Sequence, residues 1–286
     1  MDVLWTRRGV LASGVMLPLA AQAGDNPAGL IELIEKRAGG RLGVAAIDTA
    51  TGKRIGWRAD ERFPMCSTFK ALMVACVLHK VDRGQERLDR LVSYGKADLL
   101  DYAPVARAHV GKGGMKLSEL AAAVIELSDN TAANLLLDSI GGPAGYTRFA
   151  RTIGDTHTRL DRNEPALNTS IPGDVRDTTT PSAMAEDLNR VLLGDVLSPA
   201  SRKLLTGWMI GCKTAGNRIP AGLPKGWISG NKTGTGQNGS TNDIAIVWPP
   251  GRKPMLLSVY YTGSKADMKA RETVLADVAR IVSGTM

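Results

Sequence analysis

The most coherent apolar block in the chain runs from Ala71 to Leu78 without a polar residue. A segment apolar on every side predicts a helix buried between layers rather than one lying on a surface. Pro64, just ahead, marks the start, so a helix is expected from Ser67 to about Asp82. Upstream, Pro27 to Arg37 carries Leu30, Ile31, Leu33 and Ile34 as a helical stripe. Leu42 to Ile47 and Lys53 to Arg58 read as two strands joined by the turn Asp48-Thr49-Ala50-Thr51-Gly52.

Downstream, about Arg83 to Gly114 is polar and punctuated by glycine. Ser118 is then placed as the N-cap, with Glu119 in the first turn, of a helix through Leu120, Val124, Ile125 and Leu127 that continues to Leu137. Gly141-Gly142-Pro143 stops it. The polar Ser128-Asp129-Asn130-Thr131 between its apolar halves needs a reason. On a regular helix Ser128 and Asn130 would face different ways, whereas a break there would aim both at one cleft. Asp155 to Thr180 shows little periodicity, and so long an irregular connection is expected to be functional or an Ω-loop. Pro181 to Leu193, Ser198 to Met209 and Ala266 to Val282 are spaced as helices, and Trp227 to Lys232, Asp243 to Trp248 and Met255 to Tyr261 as strands.

Strands at both ends and helices between them predict an α+β protein: an antiparallel sheet from N- and C-terminal segments flanked by helices, plus an all-helical lobe. The expected organisation is a sheet lobe of about residues 24–62 and 212–286, a helical lobe of about 63–211, and a site in the cleft between them.

Residues 1–23 are set apart from this fold. Thr6-Arg7-Arg8-Gly9-Val10-Leu11 precedes a short apolar stretch to Leu19, and Ala21-Gln22-Ala23 is a small-x-small cleavage site. This reads as a bacterial export signal, of either the twin-arginine or the ordinary Sec type, and both place the protein in the periplasm. Without Arg7, Arg8 and Asp2 the formal charge falls by one from +8. No basic run or aromatic-interleaved patch points to nucleic acid. No segment reaches the roughly 18 to 20 apolar residues that span a bilayer, so a soluble monomer without membrane attachment is expected. Cys66 and Cys76 sit about 15 Å apart on one expected helix and cannot pair with each other. One bridge to Cys212 is open to an exported protein, and three free thiols are the favoured expectation, with Cys76 in the core. His79, His109 and His157 are dispersed, so neither a metal site nor a cofactor is expected.

Several motifs compete for the chemistry. Ser67 and Lys70, three apart at a helix start, suit a nucleophile with a basic neighbour. Ser93-Tyr94-Gly95-Lys96 and Ser229-Gly230-Asn231-Lys232 have the same spacing, so the match is weak alone. Gly234-Thr235-Gly236-Gln237-Asn238-Gly239 matches the dinucleotide fingerprint by letter, but a β-like segment follows it where that reading requires a helix. Lys232-Thr233-Gly234 lies at the end of a strand, where glycine permits a close approach of substrate backbone. Glu164 and Asn168, four apart in the irregular segment, are placed to share a water.

Taken together and in this order, Ser67-Thr68-Phe69-Lys70, Ser128-Asp129-Asn130, Glu164-Pro165-Ala166-Leu167-Asn168 and Lys232-Thr233-Gly234 resemble the motifs of the class A serine β-lactamases. The resemblance covers essentially all of residues 24–286. It implies hydrolysis of a small-molecule β-lactam, penicillin or cephalosporin, through a serine acyl-enzyme, and hence resistance to such antibiotics. Ser67 would be the nucleophile, with its backbone N–H and that of Thr235 as the oxyanion hole. Lys70, or Glu164 acting through water, would be the acylation base. Ser128 would relay a proton to the departing nitrogen, and Glu164 with Asn168 would activate the hydrolytic water. Lys232, Thr233, Gly234 and Thr235 would hold the substrate carboxylate end, and Asn130 its side-chain amide. Arg162 and Asp177 would be the loop-closing ion pair, and Tyr102 the cleft-wall aromatic. Some carbapenem-hydrolysing relatives bridge the position of Cys66 to the one held here by Gly236, so that bridge is absent. The assisting arginine varies in position across the family; Arg218 and Arg271 are candidates, with Arg218 favoured. A peptidoglycan DD-peptidase or transpeptidase, or a β-lactam sensor that stays acylated, would share the acylation residues, but Glu164 argues against both.

Overall fold

The sheet is built from strands whose residues alternate between two separate apolar clusters. The computed structural model describes residues 26–286, so the segment read as an export signal lies outside the described residues. The strands are β1 (Arg41–Asp48), β2 (Arg54–Trp57), β3 (Phe63–Pro64), β4 (Leu91–Val92), β5 (Met115–Lys116), β6 (Thr178–Thr179), β7 (Ile228–Thr235), β8 (Thr241–Trp248) and β9 (Met255–Thr262). The main sheet has the order β2-β1-β9-β8-β7 and is antiparallel throughout. Both of its faces are covered, which is why β8 and β9 are buried almost end to end. On β8, Ile244 and Ile246 join one cluster while Ala245 and Val247 join the other; on β9, Leu256 and Tyr260 part from Leu257 and Val259 in the same way. This is the two-residue period of a strand.

The helices are α1 (Pro27–Ala38), α2 (Phe69–Asp82), α3 (Pro104–His109), α4 (Leu117–Glu126), α5 (Asn130–Ser139), α6 (Gly142–Thr152), α7 (Pro181–Leu192), α8 (Pro199–Ile210), α9 (Ile219–Gly222) and α10 (Met268–Thr285). α1 and α10 cover one face of the sheet through Ile31, Ile34, Leu275 and Val278. The other face meets α7 and the helical layer centred on α2, whose residues Phe69 to Leu78 are all buried. The apolar run thus forms the buried helix that its composition predicts.

Several boundaries differ from the sequence reading, each for a local reason. The helix expected from Ser67 opens instead as a 3-10 turn, Cys66–Thr68, and becomes α-helical at Phe69. The cap placed at Ser118 lies two residues earlier: Lys116 is the N-cap of α4, and its backbone N–H donates to Glu119 Oε2 at 2.8 Å. The long helix expected through Leu137 is two helices, because Ser128 takes a left-handed φ of 60° and Asp129 starts a new one. β7 continues past Lys232 to Thr235, and β8 begins at Thr241 rather than Asp243. The three cysteines are free. No helix among the described residues is long and apolar enough to cross a membrane.

The joint between α4 and α5 is held by a single buried carboxylate. Asp129 Oδ1 accepts from the Ala132 backbone N–H at 2.9 Å, capping α5, and Oδ2 accepts from the N–H groups of Val105 and Ala106, each at 2.9 Å, fixing α3. Asp129→Ala would strand three backbone donors at once. The expected cost is about 3 kcal/mol of folding stability, because buried unpaired donors add to the lost cap. Urea denaturation would measure it, and a loss below about 1 kcal/mol would show that the joint is held by something else.

Candidate active site

Four elements converge on Ser67. The 3-10 turn that carries it is shaped by tertiary contacts rather than by propensity: Cys66 is forced to φ 47°, and Asn242 Nδ2 donates to the carbonyls of Pro64 and Met65 at 2.9 and 3.1 Å. Thr68 Oγ1 donates to Met65 O at 2.8 Å and tightens the same turn. One turn on, Lys70 projects from the first turn of α2 and is fully buried.

Lys70 and Glu164 form a buried ion pair, Nζ to Oε1 2.9 Å, with both side chains at 0% exposure. The same Glu164 oxygen accepts from Ser67 Oγ at 3.2 Å. Lys70 Nζ also donates to Asn130 Oδ1 at 2.6 Å and to Ser128 O at 2.9 Å, and it lies 3.4 Å from Ser128 Oγ. Ser128 Oγ in turn accepts from Lys232 Nζ at 3.0 Å. The break between α4 and α5 therefore aims both Ser128 and Asn130 at one place, as the polar interruption in the sequence suggested. Ser67, Glu164, Lys70, Ser128 and Lys232 form one continuous hydrogen-bonded set.

Burial governs the charges here. Desolvation pushes the Lys70 amine below the usual lysine range, opposed by the adjacent Glu164 carboxylate. Lys232 is pushed down to about 7, chiefly by burial and further by the charge of Lys70. Burial also pushes the Cys66 thiol up to about 12, so this neighbour of Ser67 stays a neutral packing group.

Glu164 sits on the irregular segment expected to be functional, and polar contacts hold it there. Its backbone N–H donates to Asn134 Oδ1 and its carbonyl accepts from Asn134 Nδ2, both at 3.0 Å. Its second oxygen, Oε2, accepts from Asn168 Nδ2 at 2.5 Å. Asn168 Oδ1 is buried and has no donor among the described residues. Arg162 Nε donates to Asp177 Oδ2 at 2.6 Å, and Asp177 Oδ1 accepts from the backbone N–H groups of Asp161 and Arg162 at 2.7 and 3.0 Å.

A cleft of about 380 Å³ opens over this set, lined by Ser67, Tyr102, Ser128, Asn130, Asn168, Thr214, Arg218, Thr233 and Thr235. Tyr102 is half exposed on its wall. Arg218 Nη2 donates to Thr235 Oγ1 at 2.8 Å, while its Nε pairs with Glu272 at 3.2 Å. Arg271 is not among the lining residues, so of the two candidate arginines the cleft takes Arg218. Gly234 packs beneath the turn that carries Ser67, where a Cβ would lie 2.7 Å from Met65 O, so it permits a close approach to the protein's own backbone. Beyond Gly239, β8 follows rather than a helix, which removes the dinucleotide reading.

Three functional positions escaped the sequence reading. Asn134 was visible in principle, since it lies one helical turn after Asn130 on the same face of α5. Asp129 belongs to a recognised motif but works as the cap that aims its neighbours. Thr214 lines the cleft and shares a 2.5 Å hydrogen bond with Thr233 Oγ1, and nothing in its local sequence marks it.

Residues 28–286 match the family model described as the beta-lactamase enzyme family. The chain is 46% identical over 283 residues to beta-lactamase OXY-2 of Klebsiella oxytoca, covering 98% of this chain and 97% of that one. It is 50% identical over 267 residues to beta-lactamase CTX-M-25 of Escherichia coli, covering 93% and 91%. Among solved structures, the class A beta-lactamase of the last common ancestor of Gram-negative bacteria superposes with a TM-score of 0.89 at 60% identity, covering 90% of this chain and 98% of that one. With the motifs, the fold and these likenesses in agreement, the chain belongs to the class A serine β-lactamase family.

Proposed function

We propose that the protein hydrolyses penicillins and cephalosporins through an acyl-enzyme on Ser67, with Glu164 serving both half-reactions, and that it does so as a monomer exported to the periplasm. The observation that carries the assignment of roles is the position of Glu164 Oε1, within 3.2 Å of Ser67 Oγ and 2.9 Å of Lys70 Nζ. Among the described residues Ser67 Oγ donates to Glu164 and makes no hydrogen bond to Lys70, which favours the carboxylate as the acceptor of the serine proton. Lys70, ion-paired, then steadies the charge at that carboxylate.

In acylation Ser67 Oγ attacks the lactam carbonyl as its proton passes to Glu164, and the oxyanion is received by the backbone N–H groups of Ser67 and Thr235. The C–N bond breaks as Ser128 gives its proton to the nitrogen. The proton that Glu164 took then replenishes Ser128 by way of Lys70, which lies 2.9 Å from Glu164 Oε1 and 3.4 Å from the Ser128 hydroxyl, with Lys232 3.0 Å from the same hydroxyl, and Glu164 is again a carboxylate for the second half-reaction. In deacylation a water between Glu164 and Asn168 loses a proton to Glu164 and attacks the ester, and Ser67 leaves with a proton. The buried Asn168 Oδ1, which no described group satisfies, is suited to accept from that water. Thr233, Thr235 and Arg218 line the cleft, with Lys232 buried next to them on β7, and together they make a basic and hydroxylic region that suits the substrate carboxylate. Asn130 and Tyr102 also line the cleft and are assigned to the substrate's side chain.

Glu164→Ala should therefore acylate slowly and then fail to release. Intact-mass spectrometry after mixing with a penicillin should show an adduct that persists for many turnover times of the wild type. A variant that turned over normally and left no adduct would sink the role given to Glu164. A second expectation follows from Lys232, whose amine loses its proton near pH 7 in the free protein. Capture of an anionic substrate should weaken above that pH, so kcat/KM should fall on the alkaline side while kcat, measured with the anion already bound, falls later. A kcat/KM profile flat between about pH 6 and 9 would contradict it.

A further inference from the structure

The loop that carries Glu164 has a neck, and two carboxylates meet there that the mechanism does not use. Asp155 follows α6, immediately before the loop; Asp187 projects from α7, which begins just after it. Both are nearly inaccessible, at 3% and 0% exposure, and each carboxyl group lies close enough to the other to shift its proton affinity. Each has one satisfied oxygen. Asp155 Oδ1 accepts from the backbone N–H groups of His157 and Thr158 at 2.7 and 3.0 Å, and Asp187 Oδ1 pairs with Arg190 at 3.0 Å. The Oδ2 atoms of both are buried with no donor from any described group. Two such oxygens can face each other only if a proton lies between them, because two carboxylate oxygens have no donor to exchange.

We propose that Asp155 and Asp187 share one proton, and that this hydrogen bond is a positioning clasp closing the neck of the loop that presents Glu164. The proton resides on Asp187, which burial and the neighbouring Asp155 hold well above the usual carboxylate range, while Asp155, with its backbone donors, stays ionised. The surroundings add few competing charges. Arg190 lies on the same helix, and Arg151 of α6 donates to the carbonyls of Asp155 and Thr158. Tyr146 of α6 and Tyr260 of β9 are buried phenols held neutral. Arg54, Asp60, His157 and Glu186 line the adjoining cleft, with Arg54 paired to Glu186 at 2.5 Å.

The clasp reaches the loop by a short path. The segment that Asp155 caps contains Thr158, whose Oγ1 shares a 2.6 Å hydrogen bond with Thr179 Oγ1, and Arg159, whose N–H donates to Thr178 O at 3.0 Å. Both limbs of the loop are thereby tied at residues adjoining the Asp155–Asp187 contact. Between these ties and Glu164 lie the Thr147 hydroxyl's bonds to the Leu160 backbone and the Arg162–Asp177 pair. Losing the proton would set two like charges against each other in a buried site and loosen the neck from its base.

The sign of the linkage is fixed. A group whose folded pKa is raised contributes stability that is full below its unfolded pKa, here near the ordinary 3.8, and is lost as pH rises toward the folded value. Asp187→Asn keeps a donor toward Asp155 at every pH and should lack that loss, so wild type should lose Tm relative to Asp187→Asn as pH rises from about 5 to 9. Lys70, Lys232 and Asp243 are common to both proteins and cancel in the difference. Asp187→Ala, which leaves Asp155 without a donor, should slow deacylation of a penicillin several-fold with acylation unchanged, and Asp187→Asn should restore it. This second arm rests on the acyl-enzyme reading. If wild type itself releases no product, that reading fails, whereas the Tm arm still decides whether the proton is shared. Parallel Tm–pH curves for wild type and Asp187→Asn, or wild-type deacylation in Asp187→Ala, would overturn the proposal.

Discussion

The structure depends on keeping two opposite charges out of water beside a serine. The Lys70–Glu164 pair is closed to solvent on both sides, and burying a pair like this costs several kcal/mol per ion unless geometry and further hydrogen bonds compensate. Lys70 meets that condition with Asn130, Ser128 and Glu164 as acceptors, and Glu164 meets it with Ser67 and Asn168 as donors. The partners come from α2, the α4–α5 joint and the Glu164 loop, so none of these elements can shift without exposing or orphaning a charge. Lys232 breaks the symmetry. It is a second buried lysine next to the first, with Asp243, itself pushed up to about 7 by burial, a weak counterweight. The site is thus poised with an excess of positive charge, which suits an anionic substrate.

That poise requires β7 to lie unusually close to the nucleophile turn and to the loop. At Gly234 the approach is to Met65 and Ser67, and at Gly236 a Cβ would sit 2.6 Å from Cys66 Sγ and 2.7 Å from both Asn168 O and Ser170 Oγ. Just beyond, the Gln237 backbone N–H donates to Asn168 O at 2.8 Å and Asn238 Nδ2 donates to Thr169 O at 2.9 Å. The strand end and the loop are therefore stitched together through backbone groups. Any side chain at Gly236 must move Asn168, the residue that orients Glu164.

How much of this was legible in the sequence follows from which forces act locally. The buried helix, the alternating strands and the α+β arrangement came from apolar periodicity, because both faces of the sheet and all sides of α2 are covered by apolar neighbours. The catalytic set came from the resemblance to a known family that the motifs carry when taken in their order. What stayed hidden were the places where tertiary contacts override local preference. Cys66, Ser128, Ser170, Asp177 and Asn238 all adopt positive φ around the site, although serine and cysteine rarely do so. Such backbone strain gathers where surrounding structure over-determines it, and at Ser128 it converts one apparent helix into two.

The Glu164 loop shows why polar clasps are needed at all. Little of it is anchored by apolar burial; Leu160 and Leu167 enter the helical core, whereas Ile171 and Val175 remain half exposed. Segments with few buried apolar contacts open at low free energy, yet a general base must hold its place to a fraction of an ångström. The chain reconciles the two by restraints in series: the Asp155–Asp187 contact at the neck, Arg162–Asp177 within the loop, Asn134 bracketing the backbone of Glu164, and Asn238 at the far limb. Each is polar, so each depends on the charge or donor state of its partners rather than on shape alone. On the proposals made above, the position of Glu164 is coupled to protonation at residues that never touch the substrate.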